Sequence, residues 1–255
     1  MDLPERLWRF VADPDDVPLE EALLAIAQCR PGALPDVEPL RAHLDALADS
    51  VAEPDAGSVC AGLFGPAGFR GDATDYYDPR NSLIDVVVER RIGMPITLSV
   101  VVIAVARRLG VTIEAIGAPG HFLVHDPSAA EYRDPFNGGM VVDPAALRAA
   151  VARVAPGADH PERFLAPVGP FAIVSRVLNN LQNSYASRDV RQLDWVLDVR
   201  LALPDSLHGD PRVLAALCER RGRFDDAASI LSRLGERLDD DGLRNRAAGL
   251  TARLN

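Results

Sequence analysis

Cysteine is scarce in this sequence of 255 residues, which has only Cys29, Cys60 and Cys218. The three lie far apart and form no Cys-x-x-Cys pair, so they offer neither a disulfide framework nor a structural zinc site. The dinucleotide pattern Gly-x-Gly-x-x-Gly, the phosphate-binding loop and the zinc motif His-Glu-x-x-His are also missing. We therefore expect no metal, no cofactor and a reducing compartment.

A long apolar run and a dense basic tract are absent as well. The most apolar segment, Ile96 to Ala106, is shorter than the roughly 20 residues that a membrane-spanning helix needs. No basic stretch followed by an apolar run occurs near the N-terminus, so no secretory signal is predicted. The 37 acidic residues outnumber the 27 basic ones, and a net charge of -10 disfavours nucleic-acid binding. The sequence predicts a cytoplasmic protein with no membrane or nucleic-acid partner.

The N-terminal part carries a helical pattern and then a glycine-rich segment. Apolar residues at helical spacing predict helices over Leu3–Ala12, Leu19–Cys29 and Val37–Val51, which together form a small bundle. Glycines crowd the segment Pro54–Asp78, which predicts a loop with at most one helical turn. Long loops in compact domains are usually functional or disordered. We expect this one near the functional site, and its role stays open.

The middle of the chain predicts a buried helix packed on a small sheet. A helix over Asn81–Arg91, broken at Gly93, is followed by a second from about Ile96 to Leu109, which begins beside Pro95 and ends at Gly110. This second helix is apolar nearly all round, which is typical of a central buried helix. Further on, β-branched and aromatic residues predict short strands over Val111–Ile113, Phe122–Val124, Glu131–Asp134 and Met140–Val142.

The chain after Pro144 returns to helical patterns. Helices are predicted over Ala145–Val154, Phe171–Ser187, Val190–Leu203, Pro211–Arg221 and Phe224–Leu238. The small residues and the aromatic residue at 222–228 resemble the turn of a tetratricopeptide hairpin, and a plain helical cap is the alternative. The predicted domains are residues 1–165, a core with its N-terminal bundle, and residues 166–255, a tetratricopeptide-like helical domain.

Four motifs in order resemble those of the bacterial SirB-type proteins, which belong to the transglutaminase-like superfamily. They are YDPRNSL at 77–83, ERRIGMPITLS at 89–99, GAPGHFLV at 117–124 and DPFNGG at 134–139. A related core occurs in some F-box proteins, and the likeness covers most of residues 15–240. The resemblance implies an α+β, mostly helical fold. Its core would be papain/transglutaminase-like, with a central helix on a small antiparallel sheet and a helical-hairpin tail.

The resemblance also implies a relic of a Cys-His-Asp triad. In active members of the superfamily the central helix begins Gly-x-Cys, whereas here Gly93-Met94-Pro95 places a proline at the cysteine position. The catalytic histidine and aspartate correspond to His121 and Asp134. A thiol at a helix N-terminus is activated by the macrodipole, and proline has no such group.

Other side chains are weighed as substitute nucleophiles. Thr97 and Ser99 lie in the first turn of the central helix, where hydroxyl groups more often cap or bond back to the backbone. Cys60 lies in the predicted glycine-rich loop, although a lone cysteine is more often a small buried hydrophobe. The ring of His121 either bonds to Asp134 or binds a ligand. Asp134 is equally consistent with a turn that its own carboxylate closes.

Three hypotheses follow for the function. The favoured one is a pseudoenzyme, a non-catalytic protein that binds a peptide, a protein or a small ligand, with regulation as one candidate role. Its helical tail would dock a protein partner. The second is a hydrolase or acyl-transferase that uses His121 and Asp134 with a displaced nucleophile. The third is a structural adapter whose pocket is filled by its own side chains. Besides this His-Asp pair, the residues expected to bind are Asn81, Pro95 and Asn137.

Overall fold

The computed structural model describes residues 3–33, 36–118, 121–154, 161–204, 207 and 209–253. It is mostly helical with one small antiparallel sheet, which confirms the predicted α+β class. The N-terminal bundle is present as three helices, each close to its predicted range. They are α1 (Glu5–Ala12), α2 (Leu19–Gln28) and α3 (Glu38–Asp49).

The glycine-rich segment is more regular than predicted. It contains the nine-residue helix α4 (Ala56–Phe64), so the expectation of a loop with at most one helical turn was wrong there. The carboxylate of Asp55 caps this helix by accepting from Ser58 N at 2.8 Å. Burial of the apolar face of α4 offsets the entropic cost of its glycines. Beyond it, β1 (Arg70–Gly71) pairs in parallel with β2 (Ile92–Gly93).

The central helix is α6 (Pro95–Arg108), and its residues from Ile96 to Val102 are all buried. It follows a 3-10 turn over Pro79–Ser82 and the helix α5 (Ile84–Arg90). Helix α5 ends at Arg91, whose φ of 58° is left-handed, two residues before the break predicted at Gly93. At the other end of α6, Gly110 has φ +72°. This confirms the glycine predicted to terminate the central helix.

Buried ion pairs hold α2 against α6. Glu20 of α2 is only 2% exposed, and its carboxylate accepts from Arg107 at 2.7 Å and from Arg108 at 2.9 Å. Its neighbour Glu21 accepts from Arg41 of α3 at 2.8 Å. A buried carboxylate is stable only when it is paired. These contacts therefore fix the order in which α2, α3 and α6 pack.

The sheet runs in the order β3-β4-β5-β6, and every neighbouring pair is antiparallel. The strand predicted at Val111–Ile113 was wrong, because the strand begins at Glu114. Val111 N instead donates to Ala106 O at 2.9 Å and so completes the C-terminal cap of α6. The strands are β3 (Glu114–Ile116), β4 (Leu123–Asp126), β5 (Glu131–Asp134) and β6 (Met140–Val142).

The remaining helices include one that sequence patterns missed, α12, which Asp240 caps by accepting from Leu243 N at 3.1 Å. Helix α8 packs against α2 and α6, so the first helix assigned to the tail lies on the core. The division at residue 165 stays a prediction. The helices are α7 (Pro144–Val154), α8 (Pro170–Arg188), α9 (Leu193–Ala202), α10 (Pro211–Arg220), α11 (Phe224–Leu238) and α12 (Asp241–Thr251).

Candidate functional site

A cavity of about 260 Å³ opens at the N-terminus of α6. Three parts of the chain meet there: the start of α6, the segment before β4, and one face of α8. Tyr76 adds an aromatic wall, and its ring packs edge-on against Phe136. We call this cavity the α6 pocket. The described residues that line it are Tyr76, Met94, Pro95, Ile96, Ala118, His121, Phe122, Arg176, Asn179 and Asn180.

Met94 and Pro95 occupy the start of α6, where the resemblance places a thiol in active enzymes. Met94 is 5% exposed, and its sulfur accepts hydrogen bonds from Ser82 Oγ at 2.9 Å and Asn180 Nδ2 at 3.2 Å. Its backbone N–H donates to Asn81 O at 3.2 Å. Pro95 is the first helical residue and has no N–H to donate. Neither the pyrrolidine ring of Pro95, at the cysteine position, nor the thioether of Met94 beside it has a thiol proton to lose, so the start of α6 supplies no thiolate.

His121 lies in the α6 pocket with its side chain exposed, two residues before β4. Its backbone N–H donates to Ala118 O at 3.1 Å. Among the residues that the structure describes, none forms a hydrogen bond with its ring. The imidazole is therefore available to a ligand.

Asp134, the second residue of the expected pair, is buried and committed to its own turn. Its carboxylate accepts from Phe136 N at 2.9 Å, from Asn137 N at 3.2 Å and from Asn137 Nδ2 at 2.8 Å. Of the two alternatives for the His121 ring, the bond to Asp134 is not formed, and the carboxylate bonds to the turn that follows it. Asn137, also expected to bind ligand, is exposed and supports this turn.

The three substitute nucleophiles all lie outside the α6 pocket. Ser99 Oγ donates back to Pro95 O at 2.9 Å, and Thr97 Oγ1 is buried without a partner in the described part of the chain. Cys60 is in α4 and not in a loop, so it cannot swing towards His121 as that expectation required. Burial raises the pKa of the Cys60 thiol to about 11. No candidate nucleophile therefore faces the imidazole.

Asn81 acts as a brace outside the pocket. Its Nδ2 donates to Asp72 Oδ2 at 3.1 Å and to Asp75 O at 2.9 Å, which holds the loop that carries Tyr76. Its backbone oxygen receives the N–H of Met94, as described above. Asn81 therefore contacts the start of α6 through its backbone, and its side chain, which was expected to bind a ligand, does not line the cavity.

Arg176 is a functional residue that sequence reasoning missed. Its Nη2 donates to Gly117 O at 3.0 Å, and its guanidinium lies 5.7 Å from the centre of the Phe122 ring. Burial lowers the pKa of the Arg176 guanidinium from its ordinary value. The described residues that line the α6 pocket include no Asp or Glu. Arg176 therefore places a positive charge in the pocket without an acidic partner there.

Two neighbouring amides complete the polar wall. Asn179 Oδ1 accepts from Arg200 Nη2 at 2.6 Å, which leaves the Nδ2 of Asn179 as a donor. Asn180 Nδ2 donates to Met94, which leaves the Oδ1 of Asn180 as an acceptor. With Arg176 they occupy positions i, i+3 and i+4 of α8, which share one helix face. Nearly half of the residues of α8 are polar, so this spacing does not stand out in the sequence.

A cluster of metal-binding side chains and a membrane-spanning helix are both absent from the described residues. Within them, no group of three or more His, Cys, Asp or Glu side chains is arranged to hold a metal ion. None of the helices is both long and apolar enough to cross a bilayer.

Comparison with known proteins identifies the family. The family model described as the Transglutaminase-like superfamily matches residues 38–179. A UPF0162 protein of Xylella fastidiosa (strain Temecula1) is 33% identical over 250 residues, which cover 88% of each chain. A UPF0162 protein of Pseudomonas aeruginosa is 27% identical over 189 residues, covering 68% of this chain and 69% of the relative.

A shorter match extends to animal proteins. F-box only protein 21 of Mus musculus is 39% identical over 69 residues, which cover 27% of this chain and 11% of that protein. No solved structure matches the chain. Because the family model matches more than half of the chain, and the Xylella relative is 33% identical over 88% of it, the chain belongs to the transglutaminase-like superfamily.

Proposed function

We propose that this protein acts by binding a peptide or a small ligand in the α6 pocket and does not catalyse a reaction. The observation that carries the proposal is the occupancy of the helix start by Met94 and Pro95. Covalent catalysis needs a group that becomes nucleophilic. The Met94 sulfur is a buried thioether that already accepts two hydrogen bonds, from Ser82 and Asn180.

The state of the two other triad positions supports the same proposal. A catalytic imidazole needs a nucleophile on one side and an orienting carboxylate on the other. His121 has neither among the described residues, since Asp134 serves its own turn. The pocket nevertheless stays open and polar, which counts against the hypothesis of an adapter filled by its own side chains.

The alternative is a hydrolase or acyl-transferase. One observation favours it: the His121 side chain is exposed in the pocket, where an imidazole is able to act as a general base towards a bound water. Such an enzyme would depend on His121 but would form no acyl-enzyme through Ser99, Thr97 or Cys60, which lie elsewhere.

The helical tail belongs to the proposal as a second binding surface. The resemblance to SirB-type proteins implies tetratricopeptide-like packing, which would let α10 and α11 dock a protein partner. Gly222, with φ +74°, makes the turn between these helices, and the small residues Ala227 and Ala228 are buried where they pack. These contacts support a closely packed hairpin. A plain helical cap, the alternative, would make the same contacts.

The test compares the wild-type protein with His121→Ala. Both are incubated with a panel of short peptides, glutamine-containing peptides with an amine acceptor, and p-nitrophenyl esters, and products are measured by mass spectrometry. Equal, background-level products from the two proteins support the binding function. Product formation that disappears in His121→Ala would overturn it in favour of the hydrolase or acyl-transferase.

A further inference from the structure

The charged residues of the α6 pocket differ in sign from the net charge of the protein. The chain carries a net charge of -10, yet the described lining of the pocket contains Arg176 and His121 and no carboxylate. Other partly buried arginines have acidic partners: Arg108 bonds to Glu20 at 2.9 Å, and Arg221 bonds to Asp194 at 2.6 Å. A desolvated cation without a counter-ion favours an anionic ligand.

The donors in the pocket have the layout of a carboxylate site. Arg176 uses one Nη2 N–H for Gly117 O, and its remaining guanidinium N–H groups have no acceptor among the described residues. The Nδ2 of Asn179 is a second donor on the same helix face. The N-terminus of α6 adds a partial positive charge, since no side chain caps it. A planar guanidinium binds a carboxylate through two parallel hydrogen bonds.

One acceptor in the same wall further restricts the chemical class of the ligand. The Oδ1 of Asn180 has no hydrogen-bond donor among the described residues, because its Nδ2 is the group that bonds to Met94. An acceptor beside a carboxylate site favours a ligand that carries a hydrogen-bond donor, such as an N–H, next to its carboxylate. Inorganic phosphate has no such N–H, whereas the last residue of a peptide has its amide N–H one carbon away.

The other walls of the α6 pocket and its volume suit a single amino-acid residue of a ligand. Ile96, Ala118 and Phe122 provide an apolar surface opposite the polar face of α8. The volume of about 260 Å³ lies below the roughly 300 Å³ at which pockets for drug-sized ligands begin. A free α-ammonium group would find no carboxylate among the described lining residues, so an acylated amine suits the pocket better.

We infer that the α6 pocket binds the carboxyl-terminal residue of a peptide, with the carboxylate on Arg176 and Asn179, the amide N–H on Asn180, and an apolar side chain against Ile96 and Phe122. This inference rests on the proposed binding function, because it names the ligand of the same pocket. Recognition of a chain terminus by backbone-directed donors is an established mode of peptide binding.

The experiment titrates the isotope-labelled full chain with four probes and follows the side-chain amide signals of Asn179 and Asn180 by NMR. The probes are N-acetyl-leucine, its carboxamide, unacylated leucine and inorganic phosphate. N-acetyl-leucine should bind saturably, and each of the other probes at least about tenfold more weakly. The carboxamide lacks the charge-assisted bond, phosphate lacks the apolar contact, and leucine brings an ammonium group that has no carboxylate partner in the described lining.

Two variants and a control test whether N-acetyl-leucine binds in the α6 pocket. Arg176→Gln should weaken binding of N-acetyl-leucine about tenfold or more. Asn179→Asp should do the same while keeping its contact with Arg200, so loss of fold does not explain the result. Arg212→Gln removes the same charge from an exposed residue of α10 outside the pocket and should change nothing.

Each contrary outcome contradicts a particular part of the inference. Equal binding of the carboxamide, or binding that survives in both Arg176→Gln and Asn179→Asp, overturns carboxylate recognition. Phosphate that binds as tightly as N-acetyl-leucine makes the pocket a general anion site and overturns the carboxyl-terminal assignment. Binding of none of the probes overturns the inference as well. The proposed binding function is tested separately, because turnover that depends on His121 would contradict it.

Discussion

The Nδ2 of Asn180 donates to the sulfur of Met94 at 3.2 Å, and this bond joins α8 to the start of the central helix. It places an amide of the C-terminal half against the residue next to the missing cysteine. The bond also orients the amide, so that the Oδ1 of Asn180 is left for a ligand. A single contact thus both joins α8 to the start of α6 and leaves an acceptor in the pocket.

Restoring a thiol at the start of α6 tests the geometry of the pocket. Pro95→Cys should give a cysteine whose pKa lies below the ordinary value of about 8.5, because the helix dipole stabilises the thiolate. The rate of iodoacetamide alkylation, measured against pH, reports this pKa. Val141→Cys provides an exposed thiol on the edge strand as the control.

The native thiols should not interfere with this measurement. Burial raises the pKa of Cys60 to about 11, so the wild-type protein should react slowly at neutral pH. If the cysteine at position 95 reacts at pH 7 no faster than the one at position 141, the start of α6 does not activate a thiol, and the assignment of the pocket to the ancestral active site is wrong.

Gly117→Ala should displace Arg176. A Cβ atom at Gly117 would lie 2.7 Å from Arg176 Nη1, so the guanidinium must move and give up its bond to Gly117 O. We expect N-acetyl-leucine to bind about tenfold more weakly, with a loss of stability of about 1 kcal/mol. Isothermal calorimetry and urea unfolding measure the two quantities.

Gly169→Ala is the matched control, since a Cβ at Gly169 meets no atom within 4 Å. It should leave both quantities unchanged. Unaltered binding in Gly117→Ala would show that the position of Arg176 does not matter for the ligand.

Glu20→Gln should be strongly destabilising. The carboxylate of Glu20 is the acceptor for both Arg107 and Arg108. Its removal leaves Arg107 without an acidic partner among the described residues and leaves Arg108 with Asp45 alone. Breaking a buried pair by removing one partner costs about 3 kcal/mol. The midpoint of urea unfolding measures the loss, and Glu53→Gln, an exposed substitution, should shift it by less than about 0.5 kcal/mol. Similar midpoints for the two variants would contradict the role given to this pair.

The pair Asp194–Arg221 should make a small contribution to stability that disappears in acid. The hydrogen bond from Arg221 is the main cause that lowers the pKa of Asp194 in the folded protein. A lowered folded pKa stabilises the protein above the unfolded value of about 3.9, and this stabilisation is lost as the pH falls through the folded pKa.

Asp194→Asn should therefore cost up to about 1 kcal/mol at pH 7, since the pair is partly exposed, and the difference from wild type should shrink below about pH 4. Urea unfolding at pH 7, 5 and 3.5 measures it. A difference that stays constant across this range would contradict the assignment of the bond to the ionised carboxylate.

Much of the fold is predictable from local patterns, and the exceptions have physical causes. The apolar sequence of α6 predicts a buried central helix, and Gly110 predicts where it ends. Val111–Ile113 has strand-like composition, but its first residue is needed to cap α6. Helix α4 escapes prediction because its glycines mask the cap at Asp55.

The pocket is harder to predict, because its walls come from distant parts of the chain. His121 and the unusual Pro95 are visible in motifs, and both line the cavity. Arg176 becomes recognisable only when α8 is known to pack on the core, since the sequence assigns that helix to the tail. The partner of Asp134 depends on the conformation of a turn, which composition does not fix.

Helix α8 forms one wall of the pocket, and Arg188 near its end pairs with Asp75 in the loop beside Tyr76. The same rigid helix also leads into the tail. Any tail partner that prefers one position of α8 will therefore change the affinity of the pocket for its ligand. By thermodynamic reciprocity the ligand then changes the affinity of that partner by the same factor, so the two sites share one coupling free energy.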